Sequence, residues 1–378
     1  MKKIFLFILF ITTAHFTKPY WEEPVQKWKS SAPVQDMVNS IRDNEQLSSF
    51  FQSIEQEFTA LLENINQQGE GRERHSDESQ KASEQDAPTL SIPTDHSFSI
   101  HNIGIGDSKT TVQQEVGPPK RSTINEYGVM WNTYHENYQN FLMVSFDEND
   151  TVNGLYTNQP LLSSSLDLSF ENSKESIYQI LGEPLTEIRK GFTIFELSGE
   201  GEYEVFLVDN TYVTIFYDLH ENDSITAIQL ISEELEMSKT KLYSPETDDL
   251  KIGFEYQLFD VTNAARVQHD LQPLVWDHTV KETARKHSLD MAVENYFDHT
   301  NLQGQSPFDR MEEDRIQFLV AGENLAYGHV SSLFAHEGLM NSLGHRENIL
   351  QEDYTFLGIG VAFNDESQPY FTQKYYAN

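Results

Sequence analysis

Three stretches near the C-terminal end concentrate the residue types that could do chemistry: Tyr296-Phe-Asp-His-Thr300, Gly322-Glu-Asn-Leu325 and Asn341-Ser-Leu-Gly-His-Arg-Glu-Asn-Ile-Leu350. His299, Glu323 and His345 stand at turn-like positions there, each flanked by residues that can anchor it in a core. Two imidazoles and a carboxylate are the donors of an open zinc site, which keeps a fourth position for water or ligand. The same three groups can equally form a hydrogen-bond network that only holds loops in place. The chain has thirteen histidines, so spacing alone leaves both readings open. Other chemistries find less support. His336-Glu337 begins the His-Glu-x-x-His pattern, but position 340 is Met and the second ligand is missing. There is no Gly-x-Ser-x-Gly elbow, Ser288, Ser306 and Ser342 have no identifiable partners, and the chain contains no cysteine.

The motifs recur in a definite order: Val261-Thr-Asn-Ala-Ala-Arg266, Leu274-Val-Trp-Asp277, Ala284-Arg-Lys-His-Ser-Leu-Asp-Met291, Tyr296-Phe-Asp-His299, Gly322-Glu-Asn-Leu325, Gly344-His-Arg-Glu-Asn-Ile-Leu350 and Gly358-Ile-Gly-Val361. In this order, the region from about Phe254 to Asn378 resembles the CAP superfamily, also called the SCP or pathogenesis-related-1 domain, in its bacterial form. The resemblance implies an α-β-α sandwich whose cleft carries two histidines and up to two glutamates. His299, Glu323 and His345 match three of these. The fourth would fall near Ser342, with Leu339 in place of a helix tryptophan, so that ligand is missing. In the same match His287 belongs to the packing pattern rather than to the cleft.

The family is linked to lipid, metal and protein binding without a common reaction. The resemblance therefore implies a secreted or surface-tethered bacterial binding protein, non-enzymatic, whose cleft takes a small-molecule, lipid, protein or cell-wall ligand. A divalent metal such as zinc on His299, Glu323 and His345 is the candidate cofactor. The alternative is a metal-dependent, peptidase-like hydrolase in which His299 and His345 hold zinc and Glu323 is third ligand or general base.

The elements that must position these residues are legible from periodicity. Glu255 to His269 and Asp277 to Val293 read as amphipathic helices, the second capped by Asp277 and burying Val280, Ala284, His287 or Ser288, and Met291. A polar stretch from Thr300 to Ser306 ends at Pro307, where a short helix from Phe308 to Glu313 begins; Gly344-His345 opens the segment with Arg346 and Asn348. Gly358 to Phe363 and Tyr370 to Tyr375 read as closing strands. The predicted class is α+β, with the sandwich at 250–378.

Ahead of it, residues 99–235 repeat. Asp107-Ser-Lys and Val116-Gly-Pro-Pro119 answer Asn172-Ser-Lys and Leu181-Gly-Glu-Pro184. Phe141-Leu-Met-Val-Ser-Phe146 with Glu148-Asn-Asp answers Tyr212-Val-Thr-Ile-Phe-Tyr217 with Glu221-Asn-Asp. Each copy predicts a short helix ended by glycine, then antiparallel hairpins. This double unit resembles the domain called CAP-associated, N-terminal. No acid, base or metal cluster stands out in it. Its aromatics, among them Tyr127, Trp131, Tyr134, Tyr138, Phe192, Phe195 and Tyr203, could line a ligand face, but at strand spacing they are expected in the core.

At the start, Lys2-Lys3 precedes an apolar run from Ile4 to Ile11 that stops at Lys18-Pro19, the pattern of an export signal or N-terminal anchor over 1–18. An apolar stripe marks an amphipathic helix within 34–66, and 67–98 reads as a disordered acidic linker. With 60 acidic against 26 basic residues the net charge is −34, which disfavours nucleic acid and anionic lipid as partners. Membrane contact is expected only through the N-terminal segment. Without cysteine, stability must come from packed cores.

Overall fold

The computed structural model describes residues 87–378. The export segment, the amphipathic stretch 34–66 and all but the end of the linker lie outside the described residues.

Strand β1 (Phe98–Ile100) leads into the first repeat: α1 (Lys109–Val116), β2 (Arg121–Ile124), β3 (Met130–Glu136), β4 (Gln139–Phe146), β5 (Val152–Thr157) and β6 (Leu162–Ser164), the last paired with β1. The second repeat follows with α2 (Lys174–Leu181), a separate hairpin of β7 (Glu187–Lys190) and β8 (Thr193–Glu196), then β9 (Tyr203–Val208), β10 (Thr211–Asp218), β11 (Ser224–Ser232) and α3 (Glu233–Ser238). The two helices are built alike. Ser108 and Ser173 cap them by accepting from Thr111 N and Ser176 N, and Gly117 and Gly182 end them at φ of 71° and 83°, a backbone region that L side chains rarely enter.

Seven strands form one antiparallel sheet in the order β2-β3-β4-β5-β11-β10-β9, so the repeats meet at β5 and β11 and the matched strands β4 and β10 flank that seam. Alternation splits the sheet into two faces. Leu142, Val144, Val213 and Ile215 pack with Val112 of α1 and Ile177 of α2. Phe141, Met143, Tyr212 and Phe216 face the other way, into a core that continues through Leu250, Phe254 and Leu258. Of the aromatics expected inside, Trp131 and Tyr134 are buried, but Phe192 is fully exposed at the β7–β8 turn, where it has no sheet behind it.

The C-terminal half is the predicted sandwich. It runs α4 (Asp248–Gln268), β12 (Val275–Trp276), α5 (His278–Glu294), α6 (Pro307–Glu313), β13 (Val320–Tyr327), α7 (Ser332–Asn341), α8 (Leu343–Ile349), β14 (Phe356–Phe363) and β15 (Pro369–Ala377). Its sheet has the order β12-β14-β15-β13. Leu357, Ile359 and Val361 face α4, while Gly360 faces α5 so closely that a Cβ there would lie 2.0 Å from Arg285 N. Helix α4 begins seven residues before the predicted start, at an Asp248-Asp249 first turn capped by Thr247. It is also buried on more than one face rather than amphipathic, since it lies between the two sheets. Asp277 caps α5 as expected, and Val280, Ala284, His287, Ser288 and Met291 are all buried.

The halves share polar contacts as well as a core. Arg346 Nη1 donates to Asp218 Oδ2 at 2.7 Å, and Gln257 Nε2 donates to Thr123 Oγ1 at 3.0 Å and to Ile124 O at 2.8 Å.

Candidate functional site

Strand β13 lies at the edge of its sheet, and its alternation sends Glu323 and Leu325 toward the α5 side and Asn324 and Ala326 toward the α7–α8 side. Glu323 is therefore mid-strand rather than in a turn, and His345 is within α8; only His299 sits in a loop, between α5 and α6.

The Glu323 carboxylate is buried and crowded with cations. Arg310 Nη2 donates to both of its oxygens, at 3.0 and 2.9 Å. Lys374 Nζ lies 2.7 Å from Oε2; the antiparallel register sets Lys374 directly opposite Glu323. His299 Nδ1 stands 3.0 Å from Oε1, and because the carboxylate can only accept, Nδ1 carries the proton. Burial pushes the Glu323 carboxyl up, but the His299 hydrogen bond, Lys374 and Arg310 outweigh it and hold the pKa at about 2. Burial lowers the Lys374 ammonium, with Glu323 opposing.

His287 borders the same cluster, as a packing residue. Its Nε2 is 3.0 Å from Asp298 O and 4.0 Å from Glu323 Oε1, and burial first, then Arg310 and Lys374, lower its pKa to about 4. His345 completes the trio from the other side of β13. Its carbonyl accepts from Asn324 Nδ2 at 3.0 Å, its Nδ1 is 2.8 Å from Ser342 Oγ, and burial and the neighbouring His299 lower its pKa. Ser342 thus stands where the resemblance placed a fourth ligand, and it orients a histidine. Asn348 braces the arrangement by donating to Glu323 O and to Asn324 Oδ1.

The structure therefore gathers His299 and Glu323 in direct contact, with His345 within electrostatic reach. It adds Arg310 and Lys374, which sequence reasoning missed. Lys374 left one trace, a charged residue in the middle of a closing strand rich in aromatics; Arg310 left none.

As a metal site the donor set is incomplete. Among the described residues no group of three or more His, Asp and Glu is arranged to hold an ion. Glu323 would have to leave two cations to become a ligand. The two imidazoles fit better, since Nδ1 of each is engaged and Nε2 is left for another partner, the second-sphere orientation that metal-binding histidines use.

The remaining candidates are structural. Ser288 Oγ bonds Gly360 O and Thr372 Oγ1, and Ser306 caps α6 in a capping box. His336 and Glu337, the broken zincin start, lie on α7 at the junction of the halves. Burial and His269 lower His336 to about 3. Glu337 accepts from Tyr156 Oη at 2.8 Å and Thr226 Oγ1 at 2.9 Å.

Comparison with known proteins bears on the family and the fold. Residues 259–375 match the model of the cysteine-rich secretory protein family, known as CAP, and 105–242 match the CAP-associated N-terminal domain. YlbC of Bacillus subtilis (strain 168), called a membrane protein, is 30% identical over 288 residues, which is 72% of this chain and 82% of YlbC. The chain belongs to the CAP family. YkwD from the same organism is 39% identical over 123 residues, 32% of this chain and 47% of YkwD. Among solved structures, an extracellular SCP-domain protein from Bacillus anthracis str. Ames superposes with a TM-score of 0.64 at 25% identity, over 78% of this chain and all of that one. A cysteine-rich secretory protein (SAV1118) from Staphylococcus aureus Mu50 shares the fold at a TM-score of 0.57 and 16% identity, over 72% and 94%. This CAP protein has no cysteine at all, so its sandwich rests on packing. Among the described residues no helix is long and apolar enough to cross a membrane.

Proposed function

We propose that this CAP protein is exported and acts outside the cytoplasm or at the cell surface, where its histidine site binds a ligand and does not turn it over. The single observation that carries this reading is the state of Glu323: both of its oxygens are committed to Arg310, Lys374 and His299. A general base must be free to take a proton near neutral pH. A carboxylate held at about 2 is a poor one, and it is well suited to orienting His299. The hydrolase reading would require Glu323 to abandon two buried cations. Export is supported by the Lys2-Lys3 apolar leader, by the extracellular SCP-domain neighbour and by the membrane relative YlbC.

His299 and His345 are the contact residues, offering Nε2 to the ligand. Where that ligand includes a divalent metal such as zinc, the two imidazoles would hold it and Glu323 would steady His299 from behind. The test is zinc titration by calorimetry on the full chain beside His299→Ala, His345→Ala and Glu323→Gln, with a melt of each. Binding lost in the two folded alanine variants and merely weakened about 10- to 100-fold in Glu323→Gln is the expected result. Peptide hydrolysis abolished by Glu323→Gln would overturn the binding reading in favour of the hydrolase.

A further inference from the structure

A cavity of about 110 Å³ lies between the second repeat and the CAP half, away from the histidine site. Its walls are largely aromatic and aliphatic. Tyr203, Val205, Tyr212 and Ile231 come from the seven-stranded sheet, Phe195 from the β7–β8 hairpin, and Phe334 from α7 of the CAP half. Phe334 packs edge-on to Tyr203 at 4.9 Å between ring centroids, so both halves contribute to one aromatic wall.

Two buried polar side chains reach this apolar space, and they are satisfied only loosely, by each other. Glu126 and Gln229 are each 2% exposed, and neither Glu126 Oε2 nor Gln229 Nε2 has a hydrogen bond of ordinary geometry. Burial raises the Glu126 carboxyl to about 7, moderated first by Lys239 and least by a loose hydrogen bond from Gln229. Leaving buried groups so poorly paired is costly. One is an acceptor in either protonation state and the other a donor, so a hydroxyl or amide placed between them satisfies both.

The side of the cavity is closed by a hairpin that is pinned rather than built into the sheet. Lys190 Nζ, at the end of β7, donates to Glu236 O, Glu236 Oε1 and Lys239 O at the end of α3. The other Glu236 oxygen accepts from Tyr127 Oη. Hairpin and pins lie outside the seven-stranded ladder, and one backbone bond, Leu185 N to Val205 O at 2.7 Å, ties the chain entering the hairpin to β9, so the opening widens by swinging the hairpin about that tie.

We propose that this cavity binds a small one-ring molecule carrying a terminal hydroxyl or amide, with the ring among Tyr203, Tyr212 and Phe334 and the polar end on Glu126 and Gln229. A cavity of about 150 Å³ is enough to take benzene. The space here, about 110 Å³, is clearly smaller, so entry of a ring requires the β7–β8 hairpin to move outward. Because Phe334 belongs to the CAP half, an occupant contacts both halves at once.

The experiment uses the full chain, with phenol and toluene as probes, at pH 6. Saturable phenol binding, read by calorimetry and by a rise in Tm, at least tenfold tighter than toluene, is expected. Glu126→Met removes that preference, and Val205→Phe fills the space and abolishes both. Toluene binding as tightly as phenol overturns the polar anchor, and no saturation by either in the folded chain overturns the site. Phenol binding unchanged in folded Val205→Phe places the ligand elsewhere and also overturns it. If either variant fails to fold, the wild-type preference and the other variant decide.

Discussion

Glu323 and Glu337 are the same residue type at nearly the same burial, 6% and 4% exposed, and below about pH 7 they are opposite in charge state. At the histidine site, Arg310, Lys374 and His299 surround the carboxyl and hold it ionised down to about 2. At the junction of the halves, burial raises Glu337 to about 7; the Tyr156 and Thr226 hydroxyls oppose this only in part, and Asp218 and Glu202 add to it. Burial alone therefore does not decide what a carboxyl becomes. The charge of its partners does. One glutamate is a fixed anion that orients an imidazole; the other, protonated below about pH 7, fastens α7 onto the neighbouring sheet.

The comparison can be broken most forcefully at Glu323. Replacement by Gln strands two buried cations, and a loss of about 3–5 kcal/mol is expected from urea unfolding; a loss under about 1 kcal/mol would mean that the cations find water instead. Lys374→Met should cost less, about 1–3 kcal/mol, because Arg310 still bridges both oxygens. Tyr156→Phe, which removes one donor to Glu337, is expected to cost about 1 kcal/mol, seen as a shift in the urea midpoint at constant m. Glu337→Gln should be within about 1 kcal/mol of wild type at pH 6, since a neutral amide replaces a largely protonated carboxyl and the Thr226 hydroxyl can turn to accept from its NH2.

The pH dependence separates the two glutamates by sign. Glu323 is depressed from 4.5 to about 2, so its contribution is present above 4.5 and is lost as pH falls toward 2. His287 and His336, lowered from 6.5 to about 4 and about 3, are protonated first in the unfolded chain and also erode stability as pH falls below 6.5. Glu337 is raised, so its contribution is full below 4.5 and is lost as pH rises through about 7. Stability of Glu337→Gln measured from pH 5 to 8.5 should therefore fall less on the alkaline side than that of wild type. Parallel curves would show that Glu337 is not the group titrating there.

What the sequence made legible follows the same physics. The repeats were visible because Ser-Lys followed by Gly-Pro or Gly-Glu-Pro marks both ends of a short helix, and the structure caps α1 and α2 at those very residues. The sandwich was visible through ordered motifs, and Asp277 and the buried stripe of α5 fell where periodicity placed them. Helix α4 was cut short because its apolar pattern is not one-sided; a helix buried between two sheets loses the period that reveals a surface helix. Glu323 was singled out, but its role was not. Lys374 is fifty-one positions away and reaches it only through the register of β13 against β15, which no local pattern encodes.

The core that runs from Trp131 and Phe216 through Phe254 and Leu258 to Ile359 and Tyr375 has a consequence for modularity. Two sequence families meet in this chain, yet the seam between them is not a hinge line along which parts can be exchanged. A graft of the C-terminal half alone would expose Leu250, Phe254 and Phe334 to water and leave Arg346 without Asp218. A workable chimera must carry its own sheet with it, or must redesign the outer surface of α4 and α7 as a new exterior.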